Sequence, residues 1–277
     1  MGIVSSKRHS RPAAARDGYP ARIVCLTEET TETLYRIGAG DLVVGVSAYT
    51  QRPSEAKSKP RVSAFIQANY DKIMGLRPDL VLAFSDLQAE ITRELIRRGV
   101  PVFTFNQRSI EEILTAIRLI GGTVGYHEEA ARLARDLAAG LDRARERSAR
   151  LPRRPRVYFE EWDDPLISGI RWVSELIGIA GGEEIFPEFL DQPIATGRMP
   201  NPDDVIARDP EVILASWCGK KADLPRIAAR PGWDRIAAVR AGRLHEIDSI
   251  LILQPGPAAL TDGLAAIERH VAAAAGA

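Results

Sequence analysis

From Arg22 onward, short continuous apolar runs alternate with amphipathic stretches. Ile23-Val24-Cys25-Leu26, Leu42 through Val46, Leu80 through Phe84 and Val100 through Phe103 read as buried strands. A run that is apolar at every position suits a parallel strand covered on both faces. Polar positions between the runs supply helix punctuation. Thr27 is placed to cap a helix that carries Glu28 and Glu29 in its first turn and stops at Gly38. Asp86 opens a second helix, with Leu87, Ile91 and Leu95 on its apolar face and Gly99 at its close. Ser109-Ile110-Glu111-Glu112 is a capping box for a third, running to Gly121. Strand and helix in alternation predict an α/β domain.

The alternation stops at residue 127. From 127 to 150 one unbroken helical stretch puts Ala130, Leu133, Ala134, Leu137, Leu141 and Ala144 on one face, with charged residues around them. At 1.5 Å per residue it would span about 36 Å. Pro152 and Pro155 end it, and strands resume with Val157-Tyr158-Phe159, Val212 through Ala215 and Leu244 through Ile247. The pattern divides the chain into a disordered tail over 1–21, an α/β lobe over 22–125, a linking helix over 126–151 and a second α/β lobe over 152–277.

The lobes also repeat each other. Asn69-Tyr70-Asp71-Lys72-Ile73 with Arg77-Pro78-Asp79-Leu80-Val81-Leu82-Ala83 matches Asn201-Pro202-Asp203-Asp204-Val205 with Asp209-Pro210-Glu211-Val212-Ile213-Leu214-Ala215, at one constant offset. Each copy reads as an Asn-capped short helix, a Pro-acid turn and a buried strand, which points to internal duplication.

Composition narrows the function classes. The 277 residues are 45% hydrophobic and 27% charged, an ordinary globular balance, and 37 basic residues offset 37 acidic ones. Net neutrality gives no overall pull toward nucleic acid, and no apolar run approaches the roughly 18 residues of a spanning helix. Cys25 and Cys218 cannot build a disulfide framework, and His9, His127, His245 and His270 lack ligand spacing, so no metal site is expected. Cys218 has no base placed to make it a nucleophile, and no catalytic residue is assigned. Cys25 and His245 read as core. The N-terminus carries Lys7, Arg8, Arg11, Arg16 and Arg22 with no apolar stretch after them, so no export signal is expected in the chain as it stands.

Nearly the whole chain, 22 to 270, resembles the substrate-binding proteins of ABC importers for vitamin B12 and iron-siderophores. The marks are Leu26 through Leu34 with Ile37-Gly38-Ala39-Gly40, Val44-Gly45-Val46-Ser47, Asp71-Lys72-Ile73 through Val81, Ala180-Gly181-Gly182-Glu183, and Asp203 through Ile213. Gly45 through Tyr49 and Trp172 through Leu176 look most like the cobalamin-binding members. The first strand is followed by Thr27-Glu28-Glu29 where such proteins often have a Ser-Pro turn. The resemblance implies two Rossmann-like α/β lobes joined by a single long backbone helix, a ligand cleft between the lobes, and an extracytoplasmic setting. It implies a monomer that is not an enzyme, needs no cofactor, and passes its ligand to an ABC permease.

Ligands of open α/β sheets bind beyond the carboxyl ends of the strands. The first lobe then offers Thr27, Glu28, Tyr49, Phe65 and Phe84; the second offers Glu161, Trp162, Trp172, Trp217 and Ser249. Aromatic faces with scattered polar groups suit a large flat amphipathic ligand such as a corrin ring with carboxamide arms. Cobalamin is the expected ligand. An iron-siderophore or haem is the alternative if the acidic loop Glu160–Asp164 faces the cleft, and a tetrapyrrole metal chelatase is the alternative of another class. Asp71 and Asp203, one per lobe, match the acidic positions that dock such proteins onto permease arginines.

Overall fold

The structure, a computed structural model, describes residues 15–277. They form two compact units, one made of residues up to 105 with 119–130, the other of 106–118 with 131–277. Residues 1–14 of the expected tail lie outside the described residues. Within 15–21, Arg16 pairs with Glu129 and places its guanidinium 4.1 Å from the Tyr126 ring centroid.

The first unit holds one six-stranded sheet of β1 (Ile23–Cys25), β2 (Val43–Ser47), β3 (Arg61–Ala64), β4 (Gln67–Ala68), β5 (Leu80–Phe84) and β6 (Val102–Phe105). Their order is β4-β3-β2-β1-β5-β6, parallel throughout except for β4. Helices α1 (Glu28–Arg36), α2 (Tyr70–Gly75) and α3 (Ala89–Arg97) fill the crossovers. The apolar runs β1 and β5 are buried along their whole length, and Val24, Leu26, Ile73, Val81, Ala83, Ile91 and Leu95 form a core. Thr27 stands at the start of α1 as expected, but its hydroxyl caps nothing. Before α3, Ser85 rather than Asp86 does the capping: its Oγ accepts from Leu87 N–H and opens a short 3-10 turn. That turn puts Leu87 out of phase with Ile91 and Leu95, and it lies exposed.

The capping box forms as read, with Ser109 and Glu112 exchanging bonds of 3.0 and 3.2 Å at the head of α4 (Ile110–Thr123). Residue 121 must be small, since a Cβ there would strike the side chain of Ala130. The long helix is α5 (His127–Ser148), with Ala130, Ala134, Leu137, Leu141 and Ala144 buried. The division between units falls inside α4 and α5.

The second unit is built on β7 (Arg156–Asp163), β8 (Leu166–Ser168), β9 (Glu183–Glu184), β10 (Val212–Ala215) and β11 (Leu244–Glu246), with order β11-β10-β7-β8 and β9 beside the start of β7. Around it lie α6 (Arg171–Ile179), α7 (Pro202–Arg208), α8 (Leu224–Ala228), α9 (Ala237–Arg240), α10 (Ser249–Ile252) and α11 (Leu264–Ala275). Tyr158, Phe186, Trp217 and Trp233 anchor its core.

The repeat is physical as well as textual. Asn69 caps α2 and Asn201 caps α7. Arg77 and Asp209, at the same offset, both take left-handed φ, +49° and +44°. Arg22 holds the Leu76 and Arg77 carbonyls while Asp79 accepts its backbone N–H. Arg156 likewise holds the Arg208 and Asp209 carbonyls while Glu211 accepts its N–H. One device joins the end of a short helix to the start of a strand, twice.

Candidate functional site

At the strand carboxyl ends of the first unit, the chain leaves β1 into a knot of buried polar groups. The Thr27 hydroxyl donates to Glu29 Oε1, and the Thr27 carbonyl accepts from the hydroxyls of Thr30 and Thr31 at 3.1 Å each. Ser47, the last residue of β2, donates its hydroxyl to Glu28 and accepts from the backbone N–H of Tyr49 at 3.2 Å. Thr27, Glu28 and Tyr49 are therefore brought together. Glu28 Oε1 and Glu29 Oε2 are buried without a hydrogen-bond partner. Burial pushes the Glu28 carboxyl up, with Ser47 opposing. Burial pushes Glu29 up to about 8, with the Thr27 hydroxyl opposing and the charge of Glu28 adding to it. Burial thus favours the protonated form of Glu29, which can donate as well as accept, and leaves Glu28 Oε1 as an acceptor without a partner.

The segments after β2, β3 and β5 of the same sheet carry apolar side chains. Tyr49 is 50% exposed, Ile66 and Leu87 are exposed, and Phe65 is partly so. Phe65 sits at the turn between β3 and β4 with φ +38°, and the buried amide of Gln88 binds its carbonyl. Phe84 is different. It closes β5, is buried, and its N–H donates to Gln88 Oε1 at 3.0 Å; it is core rather than lining.

In the second unit the acidic end of β7 is neutralised from within. Glu160, 0% exposed, takes Arg230 through both carboxylate oxygens and the Trp217 indole N–H at 3.2 Å. Burial raises the Glu160 carboxyl, and Arg230 opposes the rise. Glu161 pairs with the buried Arg198 at 2.8 and 3.2 Å. Asp163 receives Lys220 at 2.7 Å and Arg226 at 3.2 Å. Desolvation lifts the Asp163 carboxyl, but the Lys220 hydrogen bond, a backbone hydrogen bond at Asp163 itself and the charges of Lys220 and Arg226 together hold it below the ordinary value. Glu160, Glu161 and Asp163 are thus paired with cations far along the chain, and Asp164 is exposed.

The aromatic set is corrected. Trp172 and Trp217 are each 3% exposed. The Trp172 indole donates to the Ile252 carbonyl at 2.8 Å, and Trp217 packs in the core with its N–H on Glu160. Neither leaves a face open for stacking. Trp162 is half-buried, packed on the same core with its N–H on the Asp164 carbonyl and the Lys220 ammonium 4.1 Å from its ring centroid. Ser249 opens α10 at a partly exposed position. Asp71 is 98% exposed, 3.5 Å from Arg98, and Asp203 is exposed at the equivalent place on α7.

Sequence reasoning missed Glu29, Gln88, Lys220, Arg198 and Arg230. Only Glu29 left a trace, as the second acid replacing the Ser-Pro turn. His245 lies in β11 as read, but is not enclosed: its ring stacks on that of His270 at 3.9 Å. Cys25 is core, its thiol pushed up to about 12 by burial, and Cys218 is exposed. Among the described residues no helix is long and apolar enough to cross a membrane, and no group of three His, Cys, Asp or Glu is placed to hold a metal ion.

The chain resembles several known proteins. An uncharacterized ABC transporter substrate-binding lipoprotein of Bacillus subtilis, YvrC, is 28% identical over 248 residues, 86% of this chain and 76% of that protein. A vitamin B12-binding protein of Yersinia pestis is 29% identical over 79% of this chain and 81% of its own. The solved structure of the periplasmic heme-binding protein RhuT of Roseiflexus superposes with a TM-score of 0.76 at 26% identity, covering 90% of this chain and 98% of that one. The periplasmic binding protein model matches residues 23–251. That family is a class of substrate-binding transport proteins rather than enzymes, which sets the chelatase alternative aside. With two parallel-rich α/β units, a repeated segment of capped helix, turn and strand, and a family match over most of its length, this chain belongs to the periplasmic binding protein family.

Proposed function

We propose that this protein captures a corrinoid of the cobalamin type for ABC-type import. The observation that carries this reading is the pair of buried, unpartnered carboxyl oxygens, Glu28 Oε1 and Glu29 Oε2. A buried polar atom left unmade costs about 1–3 kcal/mol, so a ligand that supplies its partner gains that much. A primary amide carries both a donor, which the Glu28 oxygen could accept, and an acceptor, to which a protonated Glu29 could donate. Corrin rings bear such amides. Porphyrin propionates are anions without donors, and among the described residues no cation lies close enough to Glu28 or Glu29 to hold either carboxyl down. Tyr49 and Phe65 of the first unit would offer aromatic surface to the ring. The likeness to a vitamin B12-binding protein favours the same ligand class.

The partner in this reading is an ABC permease, with Asp71 and Asp203 as the exposed acids that meet its guanidinium groups. Asp71→Ala with Asp203→Ala should leave ligand affinity intact and weaken permease binding, most at low salt.

The test is absorbance between about 350 and 550 nm after incubation with cobalamin or haemin and desalting, with tryptophan quenching to give affinities. Cobalamin should co-elute, and Glu28→Ala with Glu29→Ala should weaken it by about 10- to 100-fold. Retention of haemin with loss of cobalamin would overturn the corrinoid assignment in favour of haem.

A further inference from the structure

The edge of the first unit's sheet carries a groove beside Asp71. Ser63 and Ala64 of β3 pair with Ala68 and Gln67 of β4, and the Asn69 N–H donates to the Val62 carbonyl at 2.8 Å, which sets Arg61 across from Tyr70. Asp71 follows at the next position. Arg61, Gln67, Tyr70, Asp71 and Arg98 all line one open groove of about 540 Å³. Its charges are unequally served. Arg98 lies 4.9 Å from the Tyr70 ring centroid and takes two acids, Glu94 at 2.8 Å and Asp71 at 3.5 Å. Arg61 is exposed and donates to the Ala48 carbonyl, and no carboxylate of the described residues lies within ion-pair distance of it. With Glu94 counted, two guanidiniums stand with two carboxylates, but both carboxylates sit on Arg98. Lys59 and Lys72, the charged residues nearest in sequence to Arg61 and Asp71, are cations as well.

We infer that this groove docks a permease loop carrying an acid beside the base that Asp71 meets, with Arg61 as the partner of that acid. This rests on the docking reading of Asp71, and adds to it a second pair of opposite polarity within the first unit. A guanidinium meets a carboxylate through two parallel N–H bonds, so the contact is directional as well as attractive. Paired charges of both signs also fix register. A partner face made only of arginines would satisfy Asp71 but meet Arg61 with like charge, whereas a loop that alternates base and acid satisfies both.

The experiment measures binding of the importer's permease, with its ATPase subunits in lipid nanodiscs, to wild type, Arg61→Ala, Arg61→Glu, and Asp71→Ala with Asp203→Ala. Urea midpoints show that each variant is folded. Arg61→Ala should weaken docking about threefold, as loss of one exposed pair does, and Arg61→Glu about tenfold, because it sets like charge against the partner's acid. Both differences should shrink as salt is raised. A role limited to holding the Ala48 carbonyl would make the two Arg61 variants equal, since neither side chain can donate there. Equal docking of those two variants, unchanged docking of Arg61→Ala, or tighter docking of Arg61→Glu would overturn the role of Arg61 and leave the docking reading standing. Wild-type docking by Asp71→Ala with Asp203→Ala would overturn that reading, and this inference with it.

Discussion

Gln88 donates its side-chain N–H to the carbonyl of Phe65 at 2.7 Å, across 23 residues of chain. Phe65 holds a left-handed φ of +38°, a conformation that bulky side chains rarely adopt. The same amide accepts from Phe84 N–H at 3.0 Å, so one buried side chain ties the turn after β3 to the end of β5. The turn that carries the candidate ligand-binding residue Phe65 and the core strand end at Phe84 thus share a single polar clamp.

Gln88→Leu should therefore lower unfolding free energy by about 1–3 kcal/mol, since it leaves the Phe84 N–H without its acceptor in an apolar surround. Urea denaturation reads this as a lower midpoint at unchanged slope. A midpoint equal to wild type would mean that the clamp contributes nothing.

Breaking the buried pair in the second unit should cost more. Arg230→Met strands the Glu160 carboxylate with only the Trp217 N–H, 3.2 Å away, a loss of about 3–5 kcal/mol. Adding Glu160→Gln to Arg230→Met should recover much of it, because the uncompensated charge is gone. If the double variant were less stable than the single one, desolvation would not be the cause.

The Glu29 carboxyl, pushed up to about 8 by burial, makes stability fall with rising pH. The folded value lies above the unfolded one near 4.5, so the folded state binds the proton more tightly. Its contribution is complete below about pH 4.5 and is lost as pH climbs to about 8. Glu29→Gln should match wild type near pH 4 and exceed it at pH 9 by a few kcal/mol, since each tenfold change in proton affinity is worth about 1.4 kcal/mol. Parallel stability–pH curves for the two proteins would refute this.

The stacked rings of His245 and His270, 3.9 Å apart and 13° from parallel, act in the opposite direction. Burial first, then the charges of His245 and Arg269, lower His270 from 6.5 to about 4. The folded value is below the unfolded one, so stability is intact above about pH 6.5 and declines as pH falls toward 4. Both rings are partly exposed and solvent softens the effect. His270→Gln should flatten the acid side of the thermal-stability profile between pH 6.5 and 4; an unchanged profile would place the acid loss elsewhere.

Much of the fold was legible because its causes are local. The parallel strands announce themselves as continuous apolar runs, the Ser109–Glu112 box and the Asn69 and Asn201 caps are interactions within three residues, and the α5 stripe follows from a 3.6-residue period. The duplication was visible for the same reason, each copy being one cap, one turn and one strand. Even there, Ser85 took the cap expected of Asp86, because the left-handed turn after β5 lets its hydroxyl reach the Leu87 N–H.

The candidate site was legible only as addresses. Thr27, Glu28, Tyr49, Phe65 and Trp162 lie where the strand ends placed them, but which side chains remain open depends on partners far along the chain. Glu161 meets Arg198 across 37 residues and Glu160 meets Arg230 across 70. Nothing local to β7 marks those arginines. The order of the strands brings them within reach, and the cost of an unpaired buried charge makes the pairing obligatory. Trp172 and Trp217 went into the core by the same logic, each indole N–H finding a distant acceptor in Ile252 and Glu160. Periodicity and caps, being short-range, could be read along one dimension; the burial of a tryptophan and the neutralisation of an acid are sums over neighbours that only the folded chain assembles.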